Sequence, residues 1–352
     1  MTMKRTSPGG PVIWVLQGAH AGDNAQACAL GDAVSQAIGG STLEISLQFN
    51  ELYRVPNLIL GASLRTLSAE ARARIAPPWP DLVIAVGRRT VPVALWIRKA
   101  SGGRARLVQL GRPRAPLGQF DHVVTTPQYG LPPGDNMVRL TLPFTGPAAE
   151  ADGADVARWQ ERLKGLPRPW TAMLVGGGRW PFRLDEAVAR DLGGRASAFV
   201  RGRSGALLVS TSPRTGTAAG EALKAAVDVP AHIHLWGRDG DNPHRAFLAL
   251  ADDFIVTGES VSMLAEACRT GRPVWIADLP RAMPALGLGG GLVAWACRHG
   301  LFTPPRDVAR VHDRLVAGGH AAHLGGPAPK AWRPLPDEAA MLVGRIAALL
   351  GH

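Results

Sequence analysis

The sequence predicts two Rossmann-like α/β domains facing each other across a central cleft, and three observations carry that expectation. The 352 residues are more than one core of ordinary size holds. Short, fully apolar strands alternate with amphipathic helices, the pattern of parallel sheets covered on both faces. The alternation begins twice, at Val12 and again at Trp170, on either side of Pro167-Arg168-Pro169. The expected organisation is a first domain over 1–166, a second over 167–335, and a C-terminal helix over 336–352 that packs back on the first.

The first domain opens with a strand, Val12–Leu16, and a loop, Gln17–Asp23. A helix from about Asn24 to Ile38 follows, with Ala27, Leu30, Ala33, Val34 and Ala37 on one face, ended by Gly39-Gly40. Leu60, Leu64, Leu67, Ala71 and Ile75 fall at helical spacing. Asp81–Val86 is a second strand, running into Gly87–Thr90 and a helix over Val91–Lys99, whose first turn tolerates Pro92. Arg106–Leu110 and Asp121–Thr125 read as further strands; Gly146–Asp155 reads as irregular, and Trp159–Leu163 as a short helix.

In the second domain the strands are Trp170–Val175, Ala206–Ser210, Ala231–Trp236, Phe254–Thr257 and Pro273–Ala277. Helices are expected around Asp185–Leu192, Ser262–Thr270 and Asp337–Leu350. Strand–helix alternation of this kind means right-handed βαβ units.

Composition bounds the function classes. Hydrophobic content of 46% and charged content of 19% mark a folded chain. The net charge of +11 is concentrated: residues 54–114 hold 12 Lys and Arg against Glu70 and Asp81. Such a segment recruits anions, or is an arginine-rich solubilising surface. Its basic residues interleave with no exposed aromatics, which ranks nucleic acid last among partners. Beside them lie Leu58-Ile59-Leu60 and the helical stripe ending at Ile75, so residues 54–114 are expected to touch an anionic membrane surface.

Cys28 and Cys268 sit in apolar helical patterns, and Cys28, Cys268 and Cys297 show no zinc spacing. Val12–Leu16 is too short for a signal-peptide core, and the apolar run Met283–Cys297 is short of the ~20 residues of a membrane helix. A cytoplasmic protein, peripheral on the inner face of the membrane, is expected.

Ligands of doubly wound sheets bind beyond the carboxyl ends of the strands, so the loops there are the candidates. In the first domain they are His20–Gln26, with His20, Asp23, Asn24 and Gln26, and the turn carrying Arg88 and Arg89 at a helix N-terminus. The arginine pair is either an anion clamp or a surface pair on a tight turn. In the second domain Gly176, Gly177 and Gly178 directly follow a strand, where glycine either lets a backbone approach a phosphate or makes a plain flexible turn. Ser212, Arg214 and Thr215 form a hydroxyl-and-arginine turn that suits a phosphate or a helix cap. Gly258, Glu259, Ser260 and Ser262 lead into a helix carrying Glu266, about one turn beyond Ser262, which is either an ordinary helix-surface carboxylate or one that accepts ribose hydroxyls. Asp239-Gly240-Asp241 has the form of a metal site, but Gly and Asp are ordinary turn residues, and no metal is expected. Gly287–Gly291 lacks the strand–helix setting of a dinucleotide loop.

Several of these segments together resemble one family. They are Gly22–Gln26, Pro80–Arg89, Leu107–Pro113, Phe120–Tyr129, Thr211–Thr215 and Val256–Met263. They look like the mitochondrial-fission "elongated mitochondria" family of plants and bacteria, whose bacterial members are labelled glycosyltransferases or sugar-nucleotide epimerases. The resemblance spans roughly Val12 to Pro280 and implies a GT-B-like fold. The Gly258–Glu266 segment is also similar to the donor-binding turn and helix of lipid-linked glycosyltransferases, which implies that Glu266 holds a nucleotide ribose. The chain departs from the family pattern at His20-Ala21-Gly22-Asp23.

The leading expectation is therefore a GT-B glycosyltransferase that moves a sugar from a nucleoside-diphosphate sugar, as substrate and without a cofactor, to an envelope lipid or polysaccharide. The nucleotide sugar falls to Asn24, Gln26, Arg88, Arg89, Gly176, Gly177, Ser212, Arg214, Thr215, Gly258, Glu259, Ser260, Ser262 and Glu266, with His20 or Asp23 as the base. A sugar-nucleotide epimerase using Glu259, Glu266 and Asp23, and a non-catalytic membrane-associated scaffold, are the alternatives.

Overall fold

The computed structural model describes residues 2–5, 9–144, 152–178, 180–282 and 290–352. Most of the Gly146–Asp155 stretch and the first part of the Met283–Cys297 run lie outside them. The chain divides into two compact units. One holds Met1–Gly146, Leu286–Asp307 and Asp337–His352; the other holds Pro147–Ala285 and Val308–Pro336.

The first unit contains β1 (Thr2–Arg5), β2 (Val12–Gln17), α1 (Ala21–Ile38), β3 (Ser41–Ser46), α2 (Asn57–Leu60), α3 (Ala69–Ala73), β4 (Leu82–Val86), α4 (Val91–Ala100), β5 (Arg106–Leu110), β6 (His122–Thr125) and β7 (Met137–Arg139). Its sheet runs β1-β3-β2-β4-β5-β6-β7, parallel except for the antiparallel edge strand β1. The chain steps outward from β2 to β3 and then back past β2 to β4. The switch point is therefore the gap between β2 and β4, and a ligand crevice is expected there.

The second unit begins with α5 (Gly153–Leu163), β8 (Trp170–Val175), α6 (Glu186–Arg201), β9 (Ala206–Thr211), α7 (Thr217–Ala226) and β10 (Ala231–His234). It continues with α8 (His244–Leu250), β11 (Asp253–Thr257), α9 (Val261–Arg269) and β12 (Val274–Ala277). α10 (Gly291–Arg298) belongs to the first unit, α11 (Ala309–Ala317) and β13 (Ala322–His323) to the second, and α12 (Glu338–Ala348) again to the first. The second sheet is wholly parallel, in the order β10-β9-β8-β11-β12-β13, and its switch point lies between β8 and β11.

The central strands are buried along their length, as their unbroken apolar runs require: β4 and β8 have no exposed residue. Helix α12 starts at Asp337, whose carboxylate accepts the N–H groups of Ala339 and Ala340. It buries Leu342 and Ile346 among Leu30, Val34 and Ile38 of α1, each worth roughly 1.5–3 kcal/mol. Glu338 accepts both the N–H and the hydroxyl of Thr141 at 2.7 and 2.8 Å.

Three local expectations need revision. The stripe from Leu60 to Ile75 is not one helix: α2 ends at Gly61, and Ser68 starts α3 by accepting the N–H of Ala71. Leu67, Ala71 and Ile75 are core, so this stripe is no membrane face. The exposed large apolar side chains of this basic segment and its flank are Leu52, Leu58 and Ile59, the last 75% exposed. Helix α6 runs on to Arg201 through Gly193, where a Cβ would lie 2.9 Å from the Leu223 carbonyl oxygen. The glycine admits α7 rather than ending α6. Finally, α5 groups with the second unit, where Trp159 packs edge-on against His232 and Phe247.

Candidate functional site

At the β2/β4 switch point of the first unit lies a cavity of about 290 Å³. Gly18, His20, Asp23 and Gln26 line it from the loop after β2 and the start of α1; Arg88 and Arg89 line it from the turn after β4. Helix α1 starts at Ala21 with no side chain capping it. Asn24 closes the loop on itself, accepting the Gly18 N–H at 2.7 Å and donating to the Gly18 carbonyl at 3.1 Å. Asn24 is thus a structural latch, and Gln26 reaches back to the Gly22 carbonyl at 3.4 Å.

The strands β5 and β6 complete the wall with Arg112, Arg114, Thr125, Thr126 and Tyr129. Sequence reasoning missed these residues because they end or follow strands with no glycine-rich phosphate loop or long helix start to mark them. The supporting residue is Asn57, almost fully buried, whose side-chain amide donates to the carbonyls of Arg88 and Pro113, each at 2.8 Å. One amide thereby fixes both arginine-bearing loops. Gln109 adds a bond of 3.0 Å to the Gly87 carbonyl. The Arg89 guanidinium lies over the Tyr53 ring at 4.0 Å and that of Arg112 over Tyr129 at 5.2 Å.

At the second switch point three loops are stitched together. Thr257 Oγ1 accepts the Gly176 N–H at 2.8 Å, and Glu259 Oε1 accepts the Gly177 N–H at 2.7 Å. The Ser212 and Thr215 hydroxyls both donate to the Gly176 carbonyl. Burial pushes the Glu259 carboxyl up, against the pull of the Gly177 bond, and its Oε2 is buried without a partner. The glycines and the Ser212 and Thr215 hydroxyls are therefore engaged inside the protein. They shape the floor of the site and are not a free phosphate cradle.

What stays available lies above that floor. Arg214 is exposed and donates to Ser260 Oγ at 3.2 Å; Ser262 is exposed and its Oγ lies 3.5 Å from that of Ser260. Ser260 occupies the N-cap position just before α9 without a side-chain capping bond, so the N-terminus of α9 opens beside a guanidinium. Gly258 lies behind, its carbonyl 2.7 Å from Nε2 of the buried His312. Glu266 Oε2 lies 2.8 Å from His244 Nε2, and its side chain is 42% exposed. His244 was not foreseen, because an isolated histidine at a helix start carries no spacing signal.

The Asp-Gly-Asp turn is structural: Asp239 accepts the Leu235 N–H at 2.7 Å and Asp241 pairs with Arg158 at 2.9 Å. Burial pushes the Cys268 thiol up to about 12, the behaviour of a small hydrophobe. Among the described residues no helix is long and apolar enough to cross a membrane.

Comparison with known proteins places the chain. It is 28% identical over 246 residues to the mitochondrial fission protein ELM1 of Arabidopsis thaliana, covering 62% of this chain. It spans about half, 56%, of that relative's length. Among solved structures it is similar to the ADP-heptose lipopolysaccharide heptosyltransferase II of E. coli, with 13% identity and a TM-score of 0.44 over 75% of this chain and 84% of that one. It is also similar to a UDP-GlcNAc 2-epimerase from Methanocaldococcus jannaschii, with 10% identity and a TM-score of 0.49 over 96% and 99%. Likeness at this level bears on neither substrate nor reaction. The motifs that suggested a family are decided by the family pattern itself: it matches residues 21–285, three quarters of the sequence, and the chain belongs to the mitochondrial fission ELM1 family.

Proposed function

We propose that this chain is a glycosyltransferase that takes its sugar from a nucleoside-diphosphate sugar. The observation that carries the reading is the open N-terminus of α9 beside Arg214, at the switch point of the second sheet. Free N–H groups and a guanidinium there suit a diphosphate, and Glu266 is the exposed carboxylate that suits ribose hydroxyls. In the transfer, the acceptor oxygen bonds to the anomeric carbon as the bond from that carbon to the diphosphate breaks. The diphosphate leaves with the electron pair, its charge balanced by Arg214 and the helix N-terminus. The acceptor sits in the cavity of the first unit, where His20 or Asp23 takes its hydroxyl proton.

The reading is tested by titrating UDP calorimetrically. Arg214→Ala should weaken UDP binding by about 1.5–3 kcal/mol, the worth of a charge-assisted contact. A wild-type chain that binds no nucleoside diphosphate ends the proposal and leaves the non-catalytic scaffold. The epimerase alternative is disfavoured by Glu259, which is engaged with Gly177 and buried.

A membrane-surface role is supported by a separate observation. Leu52, Leu58 and Ile59 are exposed, with Arg54, Arg65, Arg72 and Arg74 exposed in the same stretch of chain. Each basic residue near an anionic surface contributes roughly 1 kcal/mol, screened within a Debye length. Binding to anionic but not neutral vesicles, lost as salt rises and lost when Arg65, Arg72 and Arg74 are changed together to Glu, is the expected result. Equal binding to both vesicle types refutes this role.

A further inference from the structure

The cavity of the first unit carries more positive charge than its fold requires. Arg88, Arg89, Arg112 and Arg114 line it together with His20, and Asp23 is its single carboxylate. Among the described residues, no carboxylate forms an ion pair with any of the four arginines. Burial pulls the Arg88 guanidinium below the ordinary arginine range, and Arg114 and Arg89 pull it further. Arg112 is lowered in the same way by burial, then by Arg114 and Arg306. Like charges gathered at one cavity, with Arg88 and Arg112 partly buried there, repel one another until an anion joins them.

Two further observations point to such an anion. Thr125 Oγ1 is buried on the same wall with no hydrogen-bond partner, although a buried hydroxyl is normally satisfied. Arg114 holds a φ of 51°, the left-handed region that an arginine rarely occupies, while lining the cavity. The loops that carry Arg88 and Arg114 are tied down by Asn57, and Arg112 is anchored by donating to the Pro304 carbonyl at 2.5 Å. The loops that carry Arg88 and Arg114, and the Arg112 guanidinium itself, are therefore held in place before any ligand arrives.

We propose that this cavity binds the phosphate group of a phosphorylated ligand, gripped by Arg88, Arg112 and Arg114 with Thr125 donating a hydrogen bond. Arginine forks match phosphate oxygens in pairs, and several guanidiniums suit a dianion or diphosphate better than a single carboxylate. At about 290 Å³ the cavity has room for the phosphate and part of what carries it, with Leu140, Pro143 and Phe144 lining its apolar portion. Naming this phosphate as part of the sugar acceptor rests on the glycosyl-transfer reading; the binding itself does not. The same chemistry is offered by a soluble phosphoester and by a lipid headgroup.

The test is calorimetric titration of pyrophosphate into the full chain carrying Arg214→Ala, so that the diphosphate site assigned to the second unit is weakened. Saturable binding at one site is expected. Adding Arg88→Ala and Arg114→Ala should weaken it by at least about tenfold, the usual loss for a charge-assisted contact. Thr125→Val, close in shape, should weaken it several-fold while leaving the unfolding midpoint in place. Phosphatidic-acid vesicles then separate the sources. Displacement of the chain from them by pyrophosphate identifies a lipid headgroup, and pyrophosphate binding without competition identifies a soluble phosphoester; both outcomes sustain the proposal. No saturable binding, or undiminished binding in both the arginine and the threonine variants, overturns it. UDP titrated into Arg88→Ala/Arg114→Ala reads the second unit independently, so failure of one site does not count against the other.

Discussion

Gly177→Ala should cost the second unit about 3 kcal/mol, at the upper end for overpacking, and reduce UDP affinity by about tenfold or more. A Cβ at this position would lie 2.2 Å from the Arg214 carbonyl oxygen and 2.3 Å from its carbonyl carbon. Both are backbone atoms and cannot swing aside as a side chain would. The 175–178 loop must move, and with it the Gly177 N–H that Glu259 accepts and the carbonyl on which Ser212 and Thr215 converge. Arg214 is displaced directly, so stability and nucleotide binding fall together. Urea unfolding alongside UDP titration checks this. A variant that unfolds at the wild-type concentration and binds UDP normally shows that the three loops are not coupled.

The second large effect is expected at Asn57. Asn57→Leu keeps most of the side-chain volume but withdraws both hydrogen bonds from the carbonyls of Arg88 and Pro113. An unsatisfied buried carbonyl costs roughly 1–3 kcal/mol, so the pair should lower stability by about 2–6 kcal/mol. The loops carrying Arg88 and Arg114 lose their common tie, and anion binding in the first unit should weaken although no arginine has changed. Hydrogen exchange provides the check: amides of residues 87–90 and 111–115 should exchange faster. If only the overall unfolding rate changes, and these loops stay protected, Asn57 is packing rather than positioning.

What could be read from the sequence, and what could not, divides along the range of the forces involved. β4, β5, β8 and β12 lie within a residue or two of where their apolar runs placed them, because burial of a parallel strand is written in consecutive residues. The edge strands β1, β7 and β13 escaped notice, since a short strand on one side of a sheet carries too little apolar pattern. β3 also escaped, because its polar Ser41, Thr42 and Glu44 interrupt the run. Gly193 misled because glycine also ends helices, and only the nearby Leu223 backbone shows why it is needed. In the second unit the loops were identified but their division of labour was not. Whether a hydroxyl such as that of Thr215 faces a ligand or the Gly176 carbonyl depends on a partner 39 positions away. For the same reason Asn57, Arg112, Arg114 and His244 were silent: each acquires its meaning from tertiary contacts.

The return of α12 to the first unit has a consequence for the order in which the protein is made. A chain leaves the ribosome from its N-terminus, and domains in general fold as units as they emerge. The second sheet has all its strands once His323 has emerged. The first sheet has all of its strands far earlier, at Arg139, yet α1 stays without the helix that covers its Leu30 and Val34 until Leu342 and Ile346 arrive. The unit translated first is thus the one finished last, and throughout synthesis of the second it carries uncovered the apolar face of α1 that α12 later buries.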